Sequence, residues 1–173
     1  RSGRSITVLP HGVLFRDAEQ EMRKNMIKQD LVEAVIGLGK NLFFGSGMEC
    51  CLVVCRKNKP LDRKGKILFI DGKNEIKLER SDAYLKEEHI NKLAGSYHDF
   101  QDVEGFAKVL ETTEILEKNQ GNLSIQLYVK SQGETSTDSV EDLLTRTIHN
   151  QDSIQQGFDT LLNKLNDLGI PAV

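Results

Sequence analysis

The sequence predicts an α/β fold: a mixed sheet that ends in antiparallel strands, followed by a helical extension. Three observations lead there. Short runs rich in Val, Ile, Leu and Cys recur at residues 6–9, 31–38, 50–55 and 66–71. One stretch with helical spacing separates the first two runs, whereas the later runs follow too closely for crossover helices between them. Beyond residue 138 the pattern changes to a heptad seam.

Ile6-Thr7-Val8-Leu9 is short, β-branched and apolar, and Pro10 with Gly12 ends it, so a buried strand is expected. Residues 17–29 place Met22, Met26 and Ile27 at helical spacing between charges. Asp17, Glu19 and Glu21 near its start and Arg23, Lys24 and Lys28 later complement the helix dipole. Gly37 and Gly39 break the strand expected at 31–38. Residues 50–55, continuous in Leu, Val and Cys, suit a strand covered on both faces. The strand at 66–71 is entered through a basic turn at 56–64.

Residues 85–97 read as a helix with Leu85, Ile90 and Leu93 on one side. A short strand at 106–110 and a short helix at 112–118 follow, and the alternation of 122–129 predicts extended chain. The domain expected over residues 1–130 gives way to a polar linker at 131–138, with Gly133 inside it, and then to one long helix over 139–173. There Val140, Leu144, Thr147, Gln151, Ile154, Phe158, Leu161, Leu165 and Leu168 alternate steps of four and three. Asp138 with Glu141 resembles a capping box, and Gly169 with Pro171 forms a stop. Thirty residues of helix span roughly 45 Å. Such a stripe needs a partner: this domain, a second copy, or another subunit's helix.

Composition supports a folded core: 38% of the 173 residues are hydrophobic and 28% charged. No apolar run approaches the ~20 residues needed to cross a bilayer. No basic stretch followed by an apolar one opens the chain, so a secretory signal is not expected. Arg1-Ser2-Gly3-Arg4-Ser5 runs into a strand with no initiator Met, which reads as a piece of a longer protein. Cys50, Cys51 and Cys55 share one apolar stretch, and adjacent cysteines in a strand point to opposite faces. They are expected as small buried hydrophobes in a reducing cytoplasm, with no metal site. The net charge of −3 is uneven: residues 131–173 hold seven acids against Arg146 and Lys164, a balance of −5 that leaves about +2 on the rest. A weakly basic body with an acidic extension is compatible with nucleic acid without requiring it.

The common phosphate-binding and catalytic signatures are missing. Neither Gly37-Leu38-Gly39 nor Gly45-Ser46-Gly47 continues to a third glycine in register, and no P-loop occurs. There is no G-x-S-x-G elbow and no H-E-x-x-H, and His11, His89, His98 and His149 each stand alone. His11-Gly12 reads as a turn after a strand rather than a catalytic base.

Two phrases carry a family likeness: Leu9-Pro10-His11-Gly12-Val13-Leu14-Phe15-Arg16 and Leu42-Phe43-Phe44-Gly45-Ser46-Gly47. With Asp30-Leu31-Val32-Glu33-Ala34-Val35-Ile36-Gly37-Leu38, Lys64-Gly65-Lys66-Ile67-Leu68-Phe69-Ile70-Asp71 and Val103-Glu104-Gly105-Phe106-Ala107, residues 3–130 resemble methylase subunits of type I restriction-modification systems. These belong to the adenine-specific DNA methyltransferases, and the resemblance implies that residues 1–130 are the C-terminal part of the catalytic domain, carrying the later strands of a Rossmann-like sheet. One departure stands out, since Gly39 occupies the place where the resembling proteins usually carry proline.

The resemblance implies S-adenosylmethionine as methyl donor for the full-length protein, held on a glycine-rich turn, and a catalytic motif of the form Asn-Pro-Pro-Phe. This chain has three prolines, Pro10, Pro60 and Pro171, none adjacent to another. No catalytic residue is therefore expected within it, no donor binding, and no methylation by it alone. The resemblance also implies an aromatic platform for a base flipped out of duplex DNA, matched by Phe43 or by Phe44. Arg56, Lys57, Lys59, Arg63 and Lys64 are candidate contacts to the DNA backbone, or else a solvated hairpin turn guarding a sheet edge. The implied partners are DNA, a specificity subunit and a nuclease subunit. Val140, Leu144, Ile154, Phe158, Leu161, Leu165 and Leu168 are the candidate subunit interface, with self-association of that helix possible in isolation. The other reading is a non-catalytic α/β interaction module that dimerises through its terminal helix.

Overall fold

The computed structural model describes residues 3–43, 46–79 and 82–130. Phe44 and the linker and heptad helix expected at 131–173, with Val140, Leu144, Ile154, Phe158, Leu161, Leu165 and Leu168, lie outside the described residues. In chain order the elements are β1 (Gly3–Pro10), α1 (Gln20–Lys28), β2 (Val32–Leu38), β3 (Cys50–Lys57), β4 (Lys66–Gly72), β5 (Lys77–Glu79), β6 (Asp82–Tyr84), α2 (Glu87–Asp99), β7 (Ala107–Glu111) and α3 (Thr112–Asn119).

Five strands form one mixed sheet in the order β1-β3-β2-β4-β7, and β5 pairs with β6 as a separate hairpin. The β2–β4 pair is parallel, whereas β1–β3, β2–β3 and β4–β7 are antiparallel. The predicted α/β class, with a sheet ending in antiparallel strands, is the one observed.

The sheet is covered on both faces by cores with different helices. Val32, Val35, Cys51, Val53, Ile67 and Phe69 pack with Ile27 of α1, Ile115 of α3 and the later Leu123, Ile125 and Val129. On the opposite face Ala34, Ile36, Leu38, Val54, Leu68 and Ile70 pack with Leu93 of α2, flanked by Tyr97 and Phe100. This alternation follows from the two-residue strand period. Each large apolar side chain so buried contributes about 1.5–3 kcal/mol before its entropic cost.

Three expectations need correction. The first strand was expected to be buried, yet every residue of β1 but Leu9 is exposed, with Ile6 at 62% and Val8 at 48%. Among the described residues β1 pairs on one side only and stands at the sheet edge, where Ile6 and Val8 line an open groove instead of closed core. The basic turn at 56–64 is no hairpin: β2 lies between β3 and β4, so this segment crosses over the start of β2. Residues 122–129 are not extended. They hold one turn of 3-10 helix, closed by the Tyr128 and Val129 N–H groups on the Ile125 carbonyl. Their alternating pattern records burial against the sheet, with Leu123, Ile125 and Val129 inside and Leu127 outside, rather than strand pairing.

Candidate functional site

The two ends of β2 differ in kind. At its start, the β2–β3 register shifts between Val32 and Ala34, so Glu33 is the extra residue of a bulge. Glu33 is fully buried. Its carboxylate accepts the Tyr97 hydroxyl at 2.6 Å and the guanidinium groups of Arg56 at 3.2 Å and Arg63 at 3.4 Å, with Arg4 at 3.9 Å. Burial, reinforced by the hydrogen bond to the Glu33 carboxylate and by its negative charge, pushes the Tyr97 hydroxyl upward in pKa. Arg63 also donates to the His98 carbonyl at 2.8 Å and lies over the Phe100 ring at 4.5 Å.

Lys59, another buried cation, donates to Asp30 at 2.6 Å and to the Lys66 carbonyl at 2.7 Å. Asp30, with φ of 53°, also accepts the Gly65 N–H at 3.1 Å. The structure thus ties Arg56, Lys59 and Arg63 into internal contacts that fasten the crossover to β2. Of the five basic candidates, Lys57 and Lys64 are exposed and form no ion pair among the described residues.

At the other end, β2 runs into the loop of residues 39–49, which returns the chain to β3. Phe43 bridges to Ser46, whose N–H donates to the Phe43 carbonyl at 3.0 Å and closes a tight turn. That turn leaves Phe43 40% exposed. Below it opens a groove of about 370 Å³, walled by Ile6 and Val8 of β1, Leu38 of β2, Leu52 of β3, Leu85 and the α2 residues Ile90 and Tyr97. No polar atom faces this space. Polar groups gather outside it: Glu49, just before β3, lies 4.0 Å from His11 and 3.6 Å from Lys40. His11 opens the 3-10 turn that follows β1, as the sequence suggested for a turn residue.

Gly39 begins the loop at a point of close backbone approach. A Cβ there would stand 2.6 Å from the Lys73 carbonyl oxygen and 2.7 Å from Ile76 Cδ1. Any residue with a Cβ, proline included, is excluded from this seat unless the backbone moves.

The remaining candidates have structural positions. Cys51 is buried, its thiol lies 3.4 Å from the Leu9 carbonyl, and burial, with the nearby Cys50, pushes it up to about 12. That leaves it protonated and poorly nucleophilic at neutral pH. His89 accepts the Lys86 N–H at 3.2 Å at the start of α2. Among the described residues no three His, Cys, Asp or Glu side chains converge on a point that would hold a metal ion. No helix among them is long and apolar enough to cross a membrane.

Sequence reasoning missed Glu33 and the β5–β6 hairpin. A signal for Glu33 existed: it is one acid inside the apolar run 31–38, and a charge buried in such a strand requires partners. The hairpin strands have three residues each, too short for a period to register.

Residues 1–137 match the family model described as N-6 DNA Methylase. The chain is 42% identical over 130 residues to the type I restriction enzyme MjaVIII methylase subunit of Methanocaldococcus jannaschii, covering 70% of this chain and 22% of that protein. It is 32% identical over 170 residues to the MpnII methylase subunit of Mycoplasma pneumoniae, covering 97% of this chain and 30% of the relative. Among solved structures it resembles the type I restriction-modification methyltransferase subunit from Streptococcus thermophilus. That match has a TM-score of 0.68 and 33% identity over 73% of this chain and 26% of that one. The chain therefore spans less than a third of the length of each of these relatives.

Proposed function

The chain belongs to the N-6 DNA methylase family, and from that premise we propose that it supplies the base-holding side of an adenine-specific DNA methylase subunit in a type I restriction-modification complex. The observation that carries this reading is Phe43: a partly exposed aromatic fixed by a tight turn at the lip of an apolar groove. A base flipped out of duplex DNA loses its stacking partners and needs a flat apolar face to replace them. Phe43 offers that face, with Phe44 the neighbouring alternative. The groove below offers apolar surface that excludes water but no group to read the base edge by hydrogen bonds.

S-adenosylmethionine is the methyl donor proposed for the full-length protein, and the residues described here do not fit it. A ribose diol, an ammonium and a carboxylate need polar partners, and the groove presents none. The donor and the motif that holds the target amine are accordingly assigned to other parts of the full-length protein, and methylation is not expected of this chain by itself. Lys57 and Lys64 are proposed as contacts to DNA phosphates. The heptad positions Val140, Leu144, Ile154, Phe158, Leu161, Leu165 and Leu168 are proposed as the contact to a specificity subunit, in a complex that a nuclease subunit can join.

The test is Phe43→Ala in the full-length protein. Stacking is worth ~1–3 kcal/mol per base, so kcat/KM for DNA should fall roughly five- to a hundredfold. Phe43→Trp should retain activity. Unchanged kcat/KM in Phe43→Ala contradicts the assignment.

A further inference from the structure

The Phe43 loop is gripped from behind by the chain that forms β5 and β6. Its first anchor is Gly39, whose bare Cα admits the Lys73 carbonyl and the Ile76 side chain into the space a Cβ would fill. The nearest obstructing atom belongs to backbone, so no rotamer change relieves a substitution there. The second anchor lies two residues on. The Ala83 N–H donates to the Asn41 carbonyl at 3.1 Å, and Asn41 holds a left-handed φ of 60° that turns the chain toward Phe43.

Ala83 is buried and sits opposite Leu78 in the hairpin. Its N–H therefore serves the loop rather than the β5–β6 ladder. A third contact reaches the groove itself: Leu85, directly after β6, shares its wall with Phe43. The turn leading into β5 thus meets the loop at residue 39, the hairpin meets it at residue 41, and Leu85 flanks the groove beside the aromatic ring.

We infer that the β5–β6 hairpin, with the turn at residues 73–76 that leads into it, is a positioning element for Phe43, with Gly39 and Ala83 as the two points through which it sets the place of the aromatic face. The inference rests on the reading of Phe43 as the base platform. Its physical basis is that stacking is short-ranged, and a displacement of about 1 Å at a reacting geometry can cost on the order of a hundredfold in rate. A hairpin remote in sequence from Phe43 then controls how well the base is held, without touching the base.

The test uses the assembled full-length protein and a duplex carrying 2-aminopurine in place of the adenine it methylates, a position read from the methylated bases of host DNA. Stacking on Phe43 quenches the emission of the flipped analogue, and Phe43→Ala should release that quench. Gly39→Ala and Ala83→Pro should each release part of it and raise KM for DNA about three- to tenfold, measured on protein whose circular dichroism shows that it is folded. Ile76→Ala, which removes a contact without creating a clash, replaces Gly39→Ala should that variant not fold. If Phe43→Ala releases the quench and no hairpin variant does, the positioning role is wrong and the platform reading stands. If Phe43→Ala leaves the quench intact, both fall.

Discussion

The two ends of the seven-residue strand β2 are built on opposite principles. At the start, charge is buried and fully engaged: Glu33 gathers Arg56, Arg63, Arg4 and Tyr97, and Lys59 is closed over by Asp30 and the Lys66 carbonyl. At the finish, an aromatic side chain is half exposed above an apolar groove that contains no polar atom. The contrast teaches where recognition belongs. Arginines already paired inside the fold are poorly placed to meet phosphates, because releasing them would leave the Glu33 carboxylate buried without a countercharge. An apolar surface exposed to water gains by being covered. The basic end is therefore a brace, and the apolar end is where the proposed function places the base.

The largest expected effect tests the brace. Glu33→Gln keeps the shape and a hydrogen-bonding group but leaves the arginines around it without their countercharge. It should cost roughly 3 kcal/mol of stability, read as a lowered denaturant midpoint. A loss below about 0.5 kcal/mol, the range of ordinary surface substitutions, would place this cluster with solvated salt bridges and erase the distinction between the two ends. Phe43→Ala is the complementary case, with a small effect on stability and a five- to hundredfold effect on DNA methylation by the full-length protein. Comparable losses of stability in both variants would mean that Phe43 is simply core.

The smallest effect is expected from Lys57→Ala and Lys64→Ala. Each should leave stability within about 0.5 kcal/mol and flatten the dependence of log affinity on log salt by about 0.9 if it meets a phosphate. An unchanged salt slope in both would speak against DNA contact by the exposed members of the basic run and sharpen the contrast.

Much of the fold was legible because burial writes a period into sequence. The Val- and Cys-rich run of β3, the Ile-Leu-Phe-Ile run of β4 and the helical spacing of α1 and α2 all lie where those patterns indicate. What was hidden depends on neighbours that are distant in sequence. The apolar residues of β1 announce burial, yet Ile6 and Val8 face the open groove, because a pattern records the need for cover and not its presence. The basic run 56–64 looks like a solvated turn until the strand order brings it across Glu33 and Asp30. Residues 122–129 alternate as a strand would, while their carbonyls close a local turn instead. Within the candidate site, Phe43 was found through resemblance. Its turn to Ser46 and its seat beside Leu85 became visible only with the backbone in place.

Photo-cross-linking gives the most direct test that the apolar end of β2 holds the flipped base. With 5-iodouracil at the methylated position of the duplex, irradiation of the assembled full-length protein joins the base to the aromatic ring stacked on it. The expected adduct lies in the 39–49 loop, on Phe43. An adduct on a peptide outside that loop would contradict the assignment of this end of the sheet to the base.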